Sequence, residues 1–437
     1  MRALRFLPLL LALLLPAPAL PVAPAASVVP GAPPAAAAAA PGVLPEASPQ
    51  ATWRHATVLA GRIGPRAVGE PGYLRAVEYV EAQLRDLGYQ VRRQPFTVPR
   101  FEVREVALRV TAPEPLTLRP SVLQLSGSAP PEGVTAPLVE AGVGRPEELA
   151  RAGARGKVVL VRRGPRAGVD PMTFREKVEH AAAAGALAVV VYNDEPGPIP
   201  AGTLGAPAAL PAVTISGEDG DRLRALLARG PVAVHLRLQV RVEEVTSWNV
   251  VGRRAGEGPA TLVIGGHLDT VPQSPGANDN ASGIAAALEA ARLLAGVRLP
   301  LSVEIVGFGA EEVGLDGSRH YVQSARQRLV GLVNLDMVGR GPLLLIETPG
   351  ADRLRAVARR AAQRLGLPLQ PFRPGGPYGS DHVPFEQAGI PTAFLHTGGD
   401  PAIHTPQDTV DRLDPERMAQ AARLAAAIAL DAGELGR

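Results

Sequence analysis

Residues 301–318 read LSVEIVGFGAEEVGLDGS. An apolar run, Leu301 to Phe308, is rich in β-branched residues, closes on Gly309, and is followed by two adjacent acids, Glu311 and Glu312. The run has the pattern of a strand buried on both faces. Neighbouring carboxylates repel, and a purely structural reason to set two of them at the end of such a strand is hard to find.

The surrounding text repeats the pattern. From EVTSWNVVGRRAG (244–256) to the C-terminus, strand-like runs (TLVIGG, LVGLVNLDMV, TAFLHTG) alternate with helical ones (ASGIAAALEAARLLAG, DRLRAVARRAAQRLG, DPERMAQAARLAAAIALDAG). Such alternation predicts an α/β fold, a mostly parallel mixed sheet sandwiched by helices. Asp414 followed by Pro415 marks the start of the last helix. Upstream, GYLRAVEYVEAQLRDLGYQVRRQPF (72–96) has helical spacing through Leu87, a stop at Gly88, and then a strand. A Pro/Ser-rich stretch near 112–130 suggests a boundary. Beyond it GKVVLVRRG, MTFREKVEHAAAAGA, LAVVVYND and LPAVTIS read as strand, helix, strand and strand of a second unit that lacks clustered histidines.

In open α/β sheets, ligands bind at the carboxyl ends of the strands. Those ends deliver a short set of polar residues. TLVIGG leads to His267 and Asp269, and SPGANDNASG carries Asp279. LSVEIVGFGA leads to Glu311 and Glu312, LVGLVNLDMVG carries Asp336, and DPAIHTPQDT carries His404. Taken singly, each has a plain reading. Asp279 would cap the helix that follows, Asp336 would cap a turn, and a lone histidine is an ordinary surface or core residue. His180 sits among alanines and His396 inside an apolar strand, so both read as packing residues, and His55, His235 and His320 lie outside the set. As a group, the acids and histidines at one sheet edge need cations or hydrogen bonds to offset their desolvation. Nitrogen and oxygen donors without sulfur suit zinc, with manganese or cobalt as lesser options. The donors outnumber the three protein ligands of one catalytic zinc, and a carboxylate shared between two metals accounts for the surplus.

Composition narrows the alternatives. The chain has 437 residues, 46% hydrophobic, enough for sizeable cores. Of 45 basic residues only Lys157 and Lys177 are lysines, the net charge is +3, and no basic block stands out, so nucleic acid is not an expected partner. With no cysteine, thiol catalysis, cysteine zinc sites and disulfides are excluded. Residues 1–20, MRALRFLPLLLALLLPAPAL, have the layout of a secretory signal peptide, and residues 21–50 form a Pro/Ala-rich linker. Prolines at 16, 18, 21 and 24 break a spanning helix. A secreted or periplasmic protein with no stable membrane anchor after cleavage is the expectation.

The motifs GGHLD, GANDNASG, GAEEVGLDGS, NLDMVG, GSDHVPF, GIP and IHTPQDT, in this order, are specific as a set. The chain resembles the secreted di-zinc aminopeptidases, a family that includes bacterial leucyl aminopeptidase, aminopeptidase Y and glutamate carboxypeptidase. The resemblance implies a zinc peptidase domain over 51–111 and 243–437, interrupted by an inserted, β-rich protease-associated (PA) domain over 112–242. It implies two zinc ions per chain, one held by His267 and Asp336, the other by Glu312 and His404, with Asp279 bridging. Asp269 would fix the His267 imidazole. Glu311 would take the proton of the bridging water and deliver it to the leaving amine, which explains the second acid. The Asp279–Asn280 bond would be cis. Tyr378, Asp381 and His382 either shape the substrate pocket or serve structure. Peptides or proteins are the implied substrates, cleaved at the N-terminus. A carboxypeptidase or dipeptidase of the same fold is the alternative, and a receptor-like binding protein that has lost its metals is a further one.

Overall fold

The computed structural model describes residues 44–164, 172–199, 202–348, 352–374 and 379–436. The expected signal segment, residues 21–43 of the expected linker, and Tyr378 lie outside the described residues. The described strands are β1 (Gln90–Ala112), β2 (Leu116–Leu118), β3 (Ser121–Val122), β4 (Val134–Glu140), β5 (Val158–Arg162), β6 (Ala188–Tyr192) and β7 (Ala212–Ile215), then β8 (Val232–Arg254), β9 (Gly258–His267), β10 (Leu301–Phe308), β11 (Leu329–Leu335), β12 (Leu344–Ile346), β13 (Gln370–Phe372) and β14 (Thr392–His396).

They pair in the order β13-β12-β14-β11-β9-β10-β8-β4-β5-β6-β7-β3, with β1 beside β8 and β2 beside β1. The centre of the peptidase half is parallel: β9 lies between β10 and β11, and β14 follows β11. Every residue of β10 and β14 is buried. Alternate residues feed two cores, as the pleat requires. Leu262, Ile264, Val303, Ile305, Val333 and Leu335 face the main cluster. Val263, Val306, Phe308 and Leu332 face a second cluster with Tyr321 and Phe385. The main cluster is roofed by the helices Gly283–Ala295 and Pro415–Asp431, whose alanines let helix and sheet approach closely.

The sequence-level landmarks recur. The helix Pro71–Asp86 ends before Gly88, which adopts φ +79 as its stop position requires. Asp414 accepts the backbone N–H groups of Glu416 and Arg417, and Pro415 occupies the first turn.

Strands β1 and β8, each 23 residues long, pair antiparallel from Gln90↔Arg253 to Ala112↔Ala233. At one end β8 pairs with β10, and at the other with β4. One continuous ribbon thus joins the peptidase sheet to the parallel strands β4, β5, β6 and β7. It runs through residue 242 without a break, and the chain between 112 and 130 forms the short strands β2 and β3.

Candidate metal centre

Because β9, β10, β11 and β14 are parallel, their carboxyl ends share one edge of the sheet. His267 is the last residue of β9, Glu311 and Glu312 follow β10, Asp336 follows β11, and His404 lies in the loop after β14. Asp279 sits at a kinked turn over Ala277–Ser282 that leads into the helix Gly283–Ala295, with φ −111 and ψ 86 and thus outside helical geometry. It does not act as the cap of that helix. Its peptide bond to Asn280 is cis.

The side chains converge. Asp279 Oδ1 lies 3.0 Å from His267 Nε2, and Asp279 Oδ2 lies 3.1 Å from His404 Nε2. His267 Nε2 is also 3.5 Å from Asp336 Oδ1, and His404 Nε2 is 3.1 Å from Glu312 Oε2. Two triples therefore share one carboxylate: His267, Asp279 and Asp336, and Asp279, Glu312 and His404. In a third triple, His267, Glu311 and Glu312, one donor atom from each residue lies within 4.8 Å of the others, so Glu311 stands within reach of the other donors.

The backbone there is held in uncommon conformations. Ala310, Met337 and His404, each at or beside a converging residue, have φ of 59°, 53° and 59°. Non-glycine residues persist in this region only where the surroundings over-determine them, and such outliers cluster at functional sites.

The supporting contacts reach across the chain. Asp269 is fully buried; its carboxylate accepts the N–H of Glu311 and of Glu312, each at 3.1 Å. His267 Nδ1 is 3.1 Å from the Asp269 carbonyl and 3.8 Å from its carboxylate, so the backbone of Asp269 is the nearer partner of the imidazole. Asp408 accepts the N–H groups of Asn278 and Asp279 at 2.8 and 3.0 Å. Ser380 donates to Asp336 Oδ2 at 2.7 Å and accepts from Asn334 Nδ2 at 2.9 Å. Asn280 bonds Leu335 O, and a Cβ on Gly283 would lie 2.1 Å from that same oxygen, so only glycine allows the turn this close to β11.

Arg66 is buried and donates to five carbonyls, those of Leu59, Gly64, Leu268, Pro275 and Gly276. Burial pulls its pKa down to about 10, against the pull of Asp408, Asp269, Asp279 and Glu312. It ties the loop before Asp279 to the chain after His267. Arg66, Ser380 and Asp408 are not singled out by motif chemistry, although Ser380 and Asp408 stand inside GSDHVPF and IHTPQDT.

The electrostatics call for positive charge at this point. Burial, then the neighbouring Asp279, pushes the Glu312 carboxyl up to about 7. Burial also lifts Glu311 well above the usual carboxylate range, reinforced by Glu312, Asp336 and Asp381 and opposed by His267. For His404, burial would lower the pKa, but hydrogen bonds to Asp279 and Glu312 outweigh it and push it up to about 11. His267 likewise rises despite burial, through Glu311, Asp336 and Asp279. Asp279 is held below its ordinary value by the two histidines, against the effect of burial. Glu312 Oε1 and Asp336 Oδ1 are buried without a hydrogen-bond partner. An acid excess, orphaned carboxylate oxygens and imidazoles facing the same points fit divalent cations held by nitrogen and oxygen, which suits zinc.

Asp381 is buried near this group, its carboxyl pushed up to about 7 by burial before any charge. His382 packs its ring 4.5 Å from that of Phe394, neither nitrogen has a partner, and burial lowers its pKa to about 4. His396 is buried and its Nδ1 accepts the N–H of Gly398. His55 is buried against Tyr79.

Comparison with known proteins agrees with this architecture. The model of peptidase family M28 matches residues 249–429, and that of the PA domain matches 134–223. Aminopeptidase YwaD of Bacillus subtilis is 33% identical, over 86% of this chain and 82% of its own length. The probable lipoprotein aminopeptidase LpqL of Mycobacterium tuberculosis is 31% identical, over 85% of this chain and 82% of its own. Among solved structures, the aminopeptidase from Aneurinibacillus sp. strain AM-1 superposes with a TM-score of 0.78 at 32% identity, covering 88% of this chain and 93% of that one. BSAP, a zinc aminopeptidase from Bacillus subtilis, gives 0.71 at 30% identity, covering 88% and 95%. With its mixed sheet between helices, its inserted second unit and this extent of likeness, the chain belongs to peptidase family M28 and carries an inserted PA domain.

Proposed function

We propose that this chain is a secreted di-zinc aminopeptidase that removes N-terminal residues from peptides. The observation that carries the reading is Asp279 between two histidines, each of its oxygens facing one imidazole, with Asp336 and Glu312 completing the two triples. His267, Asp279 and Asp336 would hold one zinc ion, and Asp279, Glu312 and His404 the other. Bound there, the ions would lower the pKa of a water and polarise the scissile carbonyl. Glu311 accepts the proton of the attacking water and passes it to the leaving amine. Asp269 sets the position of Glu311 by holding its backbone N–H, and Ser380 orients Asp336. The relatives named aminopeptidases, and the neighbour described as a zinc aminopeptidase, support the direction of attack and the metal.

The reading includes export through residues 1–20, a linker from residue 21, a peptidase domain over 51–111 and 243–437, and a PA domain over 112–242. The linker is shorter than the expected 21–50, because Leu44 and Ala47 pack on the main core and a helix starts at Pro49. No described helix is long and apolar enough to cross a membrane. The test pairs a metal determination with substrates. The purified protein should carry two zinc ions per chain and cleave a leucyl peptide. It should fail on the same peptide acetylated at its N-terminus. Equal cleavage of both peptides would overturn the aminopeptidase reading.

A further inference from the structure

A cleft of about 950 Å³ opens beside the candidate centre, with Glu312 and His404 among its lining residues. Part of its wall comes from the ribbon and the inserted unit: Phe101 and Val103 on β1, Val122 on β3, and Ile199. We infer that this wall receives the residues downstream of the scissile bond, so that the inserted unit makes the enzyme favour longer peptides over single-residue amides. The inference rests on the aminopeptidase reading.

The size of the cleft carries the argument. An aminopeptidase has a single residue upstream of the bond it cuts, whereas a cleft near the upper end of ligand-pocket volumes holds several residues. The wall carries apolar side chains between polar ones, Glu102 and Ser121 among them, and Val103 is 42% exposed. Gln124 lines the same side. Arg100, which also lines the cleft, is tied to Glu70 and Glu243. With its cation neutralised in this way, the wall suits the body of a peptide better than a terminal carboxylate.

The test uses the zinc-loaded full chain and kcat/KM for leucinamide, Leu-Ala, Leu-Ala-Ala and Leu-Ala-Ala-Ala. For the wild type, kcat/KM should rise along the series by about tenfold or more. Val103→Asp, at an exposed position, and Phe101→Ala should each lower the ratio of tetrapeptide to leucinamide, by about tenfold for the charge. The loss should fall mainly on KM. A flat series from an active enzyme, or variants that leave the ratio unmoved, would overturn this inference alone. Failure to hydrolyse any member would overturn the aminopeptidase reading together with it.

Discussion

Asp269 Oδ1 accepts the backbone N–H of Glu311 at 3.1 Å, and its Oδ2 accepts that of Glu312 at the same distance. One buried carboxylate therefore sets the positions of two residues proposed to have different tasks. Asp269→Asn keeps the shape but turns one acceptor into a donor that faces an N–H. It should lower kcat/KM about 10–100-fold in zinc-saturated enzyme. Steady-state kinetics beside circular dichroism checks this, and unchanged kinetics would remove Asp269 from the account.

Arg66→Lys keeps the charge and loses the fork. A single ammonium cannot serve five carbonyls spread over Leu59 to Gly276. The variant should lose about 2–4 kcal/mol of stability, measured by denaturant unfolding of the zinc-loaded protein. It should also surrender zinc to a chelator faster than the wild type, because the loop that carries Asp279 is held through Pro275 and Gly276.

How far the sequence alone reaches is clear from particular residues. His267, Glu312, Asp336 and His404 follow strands whose apolar runs are legible, and a parallel sheet must bring such ends together. Asp279 alone reads as a helix cap; the ordered motif set implies another place for it, and its contacts with two histidines agree with that place. Arg66 is one arginine in an arginine-rich chain, and its five partners are backbone atoms up to 210 residues away, which no local pattern encodes. Strands β12 and β13 have three residues each, too few for a period to register. The full length of β1 is hidden because Pro95 and Pro99 interrupt its text and much of it alternates with charge.

Stability should depend on pH through His55. Burial, and then the charge of Arg54, lower its pKa from the usual 6.5 to about 4 in the folded protein. The unfolded chain therefore binds a proton that the folded chain refuses. The stabilisation is complete above pH 6.5 and is lost as pH falls toward 4. Between pH 7 and pH 5 this amounts to about 2 kcal/mol. His55→Gln should remove that share, so the wild type should lose about that much more than the variant over this interval. Equal losses would contradict it.

Metal should stabilise the fold, since zinc binds groups gathered only in the native state. At zinc a hundred times above its dissociation constant the gain is about 2.7 kcal/mol. A chelator should lower Tm and abolish activity, and added zinc should restore both. Full activity in a metal-free preparation would contradict the two-metal centre.

The division of labour between the adjacent glutamates is the central claim, and zinc per chain measured beside kcat for Glu311→Gln and Glu312→Gln tests it most directly. Glu312→Gln removes a proposed charged ligand, so zinc content should fall together with turnover. Glu311→Gln should keep both zinc ions while kcat drops by at least about 10²–10⁴-fold, the usual worth of general acid–base catalysis. If Glu311→Gln sheds zinc as Glu312→Gln does, or retains most of its turnover, the proposed roles of the two residues are wrong.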